Sequence, residues 1–218
     1  MDHFARSWTA LRTAVGELCD QDGERPSGCA GRLVRDPVCH LVIDAQDVLI
    51  TLVTPVDAEP TVDCVTYWNL VEPPTGEDPL DALIPRLAAA HGQPGLLRFH
   101  FDDDVGAAAD RAAELADRGT RVGTRDDVLT AGDHLSAYVM EGTLHHLDLI
   151  AHLPAAAEPP AETLAAARAS LERIAGARIP ASSSDADALR VGTGRRAPTD
   201  AEQAALGELA AGILFLLG

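Results

Sequence analysis

The chain has 218 residues, enough for one ordinary domain with an appendage. It is 46% apolar and only 4% aromatic, and its 17 basic residues are all arginine; against 34 acids they leave a net charge of −17. A surface this acidic lacks the basic footprint that releases phosphate counterions, which argues against nucleic acid, and it is repelled by anionic membranes. No stretch reaches the roughly 20 apolar residues of a membrane span, and the apolar tail at 209–217 is too short. Asp2 follows Met1 directly, with no basic region and apolar run of a secretory signal. Cys19, Cys29, Cys39 and Cys64 show no CxxC spacing and suit a reducing interior, so a cytoplasmic protein is expected.

Residues 4–19 carry Trp8, Leu11, Val15 and Leu18 at steps of three and four, one face of an amphipathic helix. Pro26 and Gly28 break it. A second helix is expected over 33–53, with Pro37 in its first turn, where the missing N–H costs little. Residues 55–74 are turn-rich, although 62–71 are apolar and hold Tyr67 and Trp68. A helix is expected over 79–91. Residues 96–101 read equally as a strand or as the entry to an alanine-rich helix near 105–117. Thr130 and Asp133 look like a capping box ahead of a long helix over 135–153, closed by Pro154. After a linker at 154–160 come helices over 162–174 and, behind Thr199 and Glu202, over 204–217. Strand and helix nowhere alternate with βαβ spacing, and no repeat appears. The expected fold is an all-α bundle of four helices, residues 1–155, with a helical extension over 156–218.

The segment H-L-S-A-Y-V-M-E-G-T-L-H-H-L-D-L-I-A-H, residues 134–152, carries the chemistry. On a helix Glu141 and His145 face the same side one turn apart, Asp148 and His152 continue that face, and His146 points about 100° away. The second helix offers His40 with Asp44 one turn later and Asp47 beyond. Two packed helices that bring His40, Glu141 and His145 together would form a His₂Glu donor set with an open fourth position, suited to zinc, with iron or nickel as alternatives. A Glu–His pair at this spacing on an exposed helix is more often a routine surface interaction. In so acidic a chain most aspartates are expected to be solvated, and a lone tyrosine such as Tyr138 is more often core or rim.

Three stretches resemble the DinB-like bundle family, in its branch of mycothiol-dependent maleylpyruvate isomerases and mycothiol S-transferases. R-P-S-G-C-A-G-R-L-V-R-D-P-V-C-H-L, residues 25–41, is similar to the family's Gly-Trp-(Thr/Ser)-Val-Arg-Asp-x-x-x-His-Leu signature, matched at Gly31, Val34, Arg35, Asp36, His40 and Leu41. M-E-G-T-L-H-H-L-D-L, residues 140–149, resembles its glutamate-to-histidine signature, and A-L-R-V-G-T-G-R, residues 188–195, its Gly-Arg tail element. The resemblance implies a four-helix bundle with a divalent metal held by His40, Glu141 and His145. Arg32 stands at the usual tryptophan position, and the tail is shorter than the family's fuller C-terminal domain. An arginine supplied by that domain corresponds to Arg195 or Arg196.

The implied activity is a metal-assisted thiol transferase or thiol-dependent isomerase with mycothiol as co-substrate. The thiolate would attack a small electrophile. Asp44 or Asp148 would accept the outer N–H of a ligand imidazole, Tyr138 or His134 would donate a proton, and Arg195 would contact the co-substrate. Cys39 precedes His40 on one helix, so their side chains diverge and the cysteines make poor nucleophiles. The net charge favours a neutral or cationic electrophile. The alternatives are a metal-dependent hydrolase at the same site and a non-catalytic DinB-like metal-binding protein. A monomer or homodimer fits either.

Overall fold

A computed structural model describes residues 2–70 and 82–209. Helix α1, His3–Gly16, starts where the Asp2 carboxylate accepts from the Phe4 and Ala5 N–H groups. Its Phe4, Trp8, Leu11 and Val15 form the buried stripe expected from their spacing. Trp8 stacks on Phe4, meets Phe101 edge-on, and donates its Nε1–H to the Gly106 carbonyl at 2.9 Å. Helix α2, Arg35–Leu52, is entered through a loop closed by an isolated bridge between Pro26 and Leu33; Asp36 caps the turn by accepting from the Leu33 N–H at 2.8 Å.

Helices α3, Leu83–Ala90, and α4, Pro94–Phe99, follow. Residues 96–101 are therefore helical, because Pro94 at the first turn pre-sets the helical φ. The first residues of the helix expected from 79 lie outside the described part. A π turn, His100–Val105, joins α4 to α5, Gly106–Leu115. Gly106 is required there: a Cβ would fall 2.2 Å from the Phe101 carbonyl oxygen.

The fold is all-α as expected, with one short hairpin inserted among the helices. Strand β1, Arg121–Thr124, pairs antiparallel with β2, Asp127–Thr130, through a two-residue loop. Arg125 and Asp126 there have φ of 48° and 69°, the positive values such a tight turn requires. Neither is glycine, so the usual sequence signal of the turn is missing. Thr130 ends β2 and caps α6, Ala131–Ile150, accepting from the Asp133 N–H at 3.0 Å and donating its own hydroxyl to the Asp133 carboxylate.

Helix α6 is buried on nearly every side, as a central bundle helix is. It packs against α1 and α2, and α5 closes the layer on α1 and α2. Helix α7, Ala161–Ala175, lies on α6 and α1; α8, Asp185–Gly192, which the tail's glycines concealed in the sequence, packs on α7. Helix α9, Asp200–Leu206, begins with the reciprocal Thr199–Glu202 capping box. The rest of the helix expected to 217 falls outside the described residues beyond 209. No described helix is long and apolar enough to cross a membrane.

Candidate metal centre

Each of two helices presents a polar stripe toward the other. On α2 it is His40, Asp44 and Asp47, at steps of four and three. On α6 it is His134, Tyr138, Glu141, His145 and Asp148, at steps of four, three, four and three. The helices run antiparallel, so rising numbers on one meet falling numbers on the other. His40 stacks obliquely on His145 with ring centroids 4.6 Å apart, and Asp47 accepts the Tyr138 hydroxyl at 2.6 Å. Glu141 Oε1 lies 3.5 Å from His40 Nε2 and 3.0 Å from His145 Nε2. Asp44 Oδ1 lies 3.4 Å from His40 Nε2. The donor atoms of His40, Asp44, Glu141 and His145 all lie within 4.8 Å of one another.

The charges of this group suit a cation. Burial pushes the Asp44 carboxyl up to about 6, the neighbouring Glu141 adds to the rise, and the two imidazoles only partly offset it. Burial also opposes the Glu141 charge, yet His145 and His40 hold that carboxyl well below its ordinary range. His145 is raised by Glu141 despite its burial. Asp44 Oδ2 is buried without a hydrogen-bond partner. An orphaned carboxylate oxygen beside a second carboxylate is expensive in a low-dielectric pocket. Two imidazole nitrogens and two carboxylates are a donor set for zinc, iron or nickel.

A second donor set, Cys29, His145 and Asp148, lies on the Nδ1 side of the same imidazole. Asp148 Oδ2 is 3.5 Å from His145 Nδ1. Here, however, a cation is already present: the Arg195 Nε–H donates to both Asp148 oxygens, at 2.9 and 3.0 Å. With the Asp148 side chain 2% exposed and that of Arg195 9%, the pair is taken out of water. A guanidinium bound to Asp148 opposes a second cation there, so of the two sets the first is the better suited to a metal ion. Asp148 is held below the usual carboxylate range by His145 and Arg195 against the opposing effect of burial. Gly28 locks the approaching loop: its N–H donates to the Asp148 carbonyl at 2.8 Å, and a Cβ there would fall 2.8 Å from the Asp148 Cα.

Cys29 stands next to His145, a neighbour that cysteine spacing alone gave no reason to expect; its place inside the residue 25–41 motif was the available signal. Cys39 is buried, and burial pushes its thiol up to about 11, in keeping with a poor nucleophile. His134 is fully buried 3.9 Å from Asp47, with neither ring nitrogen hydrogen-bonded, and burial pulls it down to about 4. That makes it neutral at pH 7. Tyr67 packs edge-on against it, and Arg125 from the hairpin tip stands 6.0 Å over the Tyr67 ring. His146 turns away and meets the Ala157 carbonyl at 3.0 Å, and His152 is exposed. Arg196 is engaged by Glu202 and Asp187. Arg32 is half-buried, its backbone holding the residue 27–32 loop through Ser27 and Cys29.

Residues 4–150 match the model of the mycothiol maleylpyruvate isomerase N-terminal domain. The chain belongs to that family. It is thereby a DinB-like helical bundle, and its described residues include a histidine–carboxylate group able to hold a metal ion. No curated protein and no solved structure matches at a significant level. The family match spans the hairpin and both facing stripes, and it ends where α6 ends. Arg195 therefore comes from beyond the matched domain.

Proposed function

We propose that the protein is a divalent-metal-dependent transferase or isomerase that uses a low-molecular-weight thiol, mycothiol, against a small electrophile. The observation that carries this reading is the convergence of His40, Asp44, Glu141 and His145 from two antiparallel helices, with a buried carboxylate oxygen left unpartnered, in a chain of this family. His40, Glu141 and His145 would hold the metal, and Asp44 would either join them or stay as a neighbouring acceptor. A cation in that group, zinc before iron or nickel, would supply the positive charge that keeps a thiol sulfur ionised near neutral pH.

The remaining roles belong to the chain. Asp148 Oδ2, 3.5 Å from His145 Nδ1, would accept that N–H when Nε2 serves as a ligand, and would so fix the tautomer; Nδ1 has no hydrogen-bond partner otherwise among the described residues. Arg195 would keep Asp148 ionised for that task, and it comes from the proposed extension, residues 156–218, that follows the proposed bundle, residues 1–155. Its guanidinium, near Cys29 and Glu141, would contact the co-substrate. Tyr138 donates its only proton to Asp47, so the hydroxyl would offer its oxygen as an acceptor and would protonate product only after turning away from Asp47. A surface of −17 favours a neutral or cationic electrophile.

Elemental mass spectrometry of wild type, His40→Ala and His145→Ala, purified side by side, tests the metal. One equivalent lost from both variants is expected. No metal in any sample after zinc incubation refutes the reading. Turnover of an electrophile panel with and without added thiol then separates the transferase from the hydrolase, which needs water alone.

A further inference from the structure

Two histidines that take no part in the first donor group meet at another place in the bundle. His91 is the C-cap of α3, and His100 is the residue at which α4 passes into the π turn. The chain reverses between them at Gly92, φ 69°. The π turn depends on Gly106, as its absent Cβ shows, so the placement of His100 is built into the fold rather than left to a loop.

The geometry of the pair is that of two ligands. His91 Nδ1 lies 2.9 Å from the Leu87 carbonyl oxygen, which can only accept. Nδ1 therefore carries the proton and Nε2 carries a lone pair. That Nε2 lies 3.5 Å from His100 Nδ1, with ring centroids 5.8 Å apart and planes 38° off parallel. As it stands the contact is a long hydrogen bond, donated by His100 Nδ1–H to the His91 lone pair. Two nitrogens bound tetrahedrally at about 2.0–2.1 Å to one zinc ion stand about 3.4 Å apart. On the far side of His100, Asp104 Oδ2 lies 4.0 Å from Nε2, one turn along. His91 thus has its outer nitrogen held by a carbonyl and its inner nitrogen facing the other ring, as oriented metal-binding histidines do, while Asp104 stands near His100 Nε2 beyond hydrogen-bond distance.

The surroundings favour a cation as well. Asp104 is exposed beside His100, and the last carbonyls of α3 carry partial negative charge at His91. Of the nearby arginines, Arg98 is engaged by Asp20 and Arg12 by Asp102 and Asp110. Both histidines are half-buried, with a solvent-facing side.

We propose that His91 and His100 form a second, surface site for a divalent transition-metal ion of the zinc type. The two imidazoles are its protein ligands and water fills the other positions. With two protein ligands it binds more weakly and exchanges faster than a site of three or four.

Zinc chloride titrated calorimetrically into metal-stripped full-length protein tests this. Wild type, His91→Gln, His100→Gln and His145→Gln are compared, with the histidine ring protons followed by NMR. The expected result is a weaker class of zinc binding that disappears in both His91→Gln and His100→Gln and persists in His145→Gln. In wild type the His91 and His100 ring signals move together as that class fills. Survival of the weaker class in either His91→Gln or His100→Gln overturns the proposal, as do ring signals unmoved at saturating zinc. The outcome is independent of the first donor group, whose failure would show as loss of the tighter class alone.

Discussion

Replacing Arg195 by leucine should remove the cation from Asp148 while leaving its carboxylate buried. The direct attraction between the two charges, at a separation of about 4 Å and an effective dielectric of about 20, is about 4 kcal/mol. Desolvation of both groups offsets much of that in the wild type. Removal of one partner exposes the full penalty of the other, and broken buried pairs cost about 3–5 kcal/mol. The Asp148 carboxyl is depressed in the folded protein, so its contribution is fully present above the unfolded carboxylate value, about 3.9, and is lost as pH falls through the lower folded one. In Arg195→Leu the depression weakens, because His145 alone is left to oppose burial. The gap between variant and wild type is therefore widest at pH 7 and narrows in acid, as the variant's Asp148 takes up a proton. Urea denaturation followed by circular dichroism at pH 7 and at pH 4.5 measures both values. A loss below about 1 kcal/mol at pH 7, or a gap that does not shrink at pH 4.5, would refute the reasoning. An Asp148→Leu/Arg195→Leu double variant should recover much of the loss, because no unpaired charge remains.

Three further outcomes are expected. Gly28→Ala places a Cβ 2.8 Å from the Asp148 backbone, so the residue 27–32 loop must retreat; a cost of about 1–3 kcal/mol and reduced zinc uptake should appear in thermal melts and metal analysis. Tyr138→Phe deletes a hydrogen bond to a half-exposed carboxylate and should cost about 1–2 kcal/mol in urea titration. Its zinc stoichiometry should stay intact; loss of zinc would place Tyr138 among the ligands. His134 is buried neutral, its folded value about 4 lying below the unfolded 6.5, so it destabilises the fold as pH falls from 6.5 toward 4. His134→Phe should therefore gain up to about 3 kcal/mol over wild type by pH 4, a gain absent at pH 8, read from melting curves across that range. An equal change at both pH values would mean that His134 is not buried neutral.

The chain's own order of residues determined the two stripes. The three-and-four spacing of His40, Asp44 and Asp47, and of Tyr138, Glu141, His145 and Asp148, puts each set on one helix face whatever that helix packs against. The same local rules account for Trp8 in the core, Pro37 in the first turn of α2 and the Thr199–Glu202 capping box. Periodicity cannot say which helices adjoin or in which direction they run. The antiparallel packing of α2 on α6 decided that His40 meets His145 and that Asp47 meets Tyr138, since those pairs are far apart in the chain. The hairpin escaped the sequence because its turn uses Arg125 and Asp126 in place of glycine or asparagine, with the fold supplying the positive φ. Cys29 and Arg195 reach His145 and Asp148 through a loop and a tail, whose course is set by long-range contacts such as Gly28 on Asp148. Local sequence fixes what a helix face carries; only packing across the chain decides which faces share a dry pocket, and it is there that charges, tautomers and metal affinity are set.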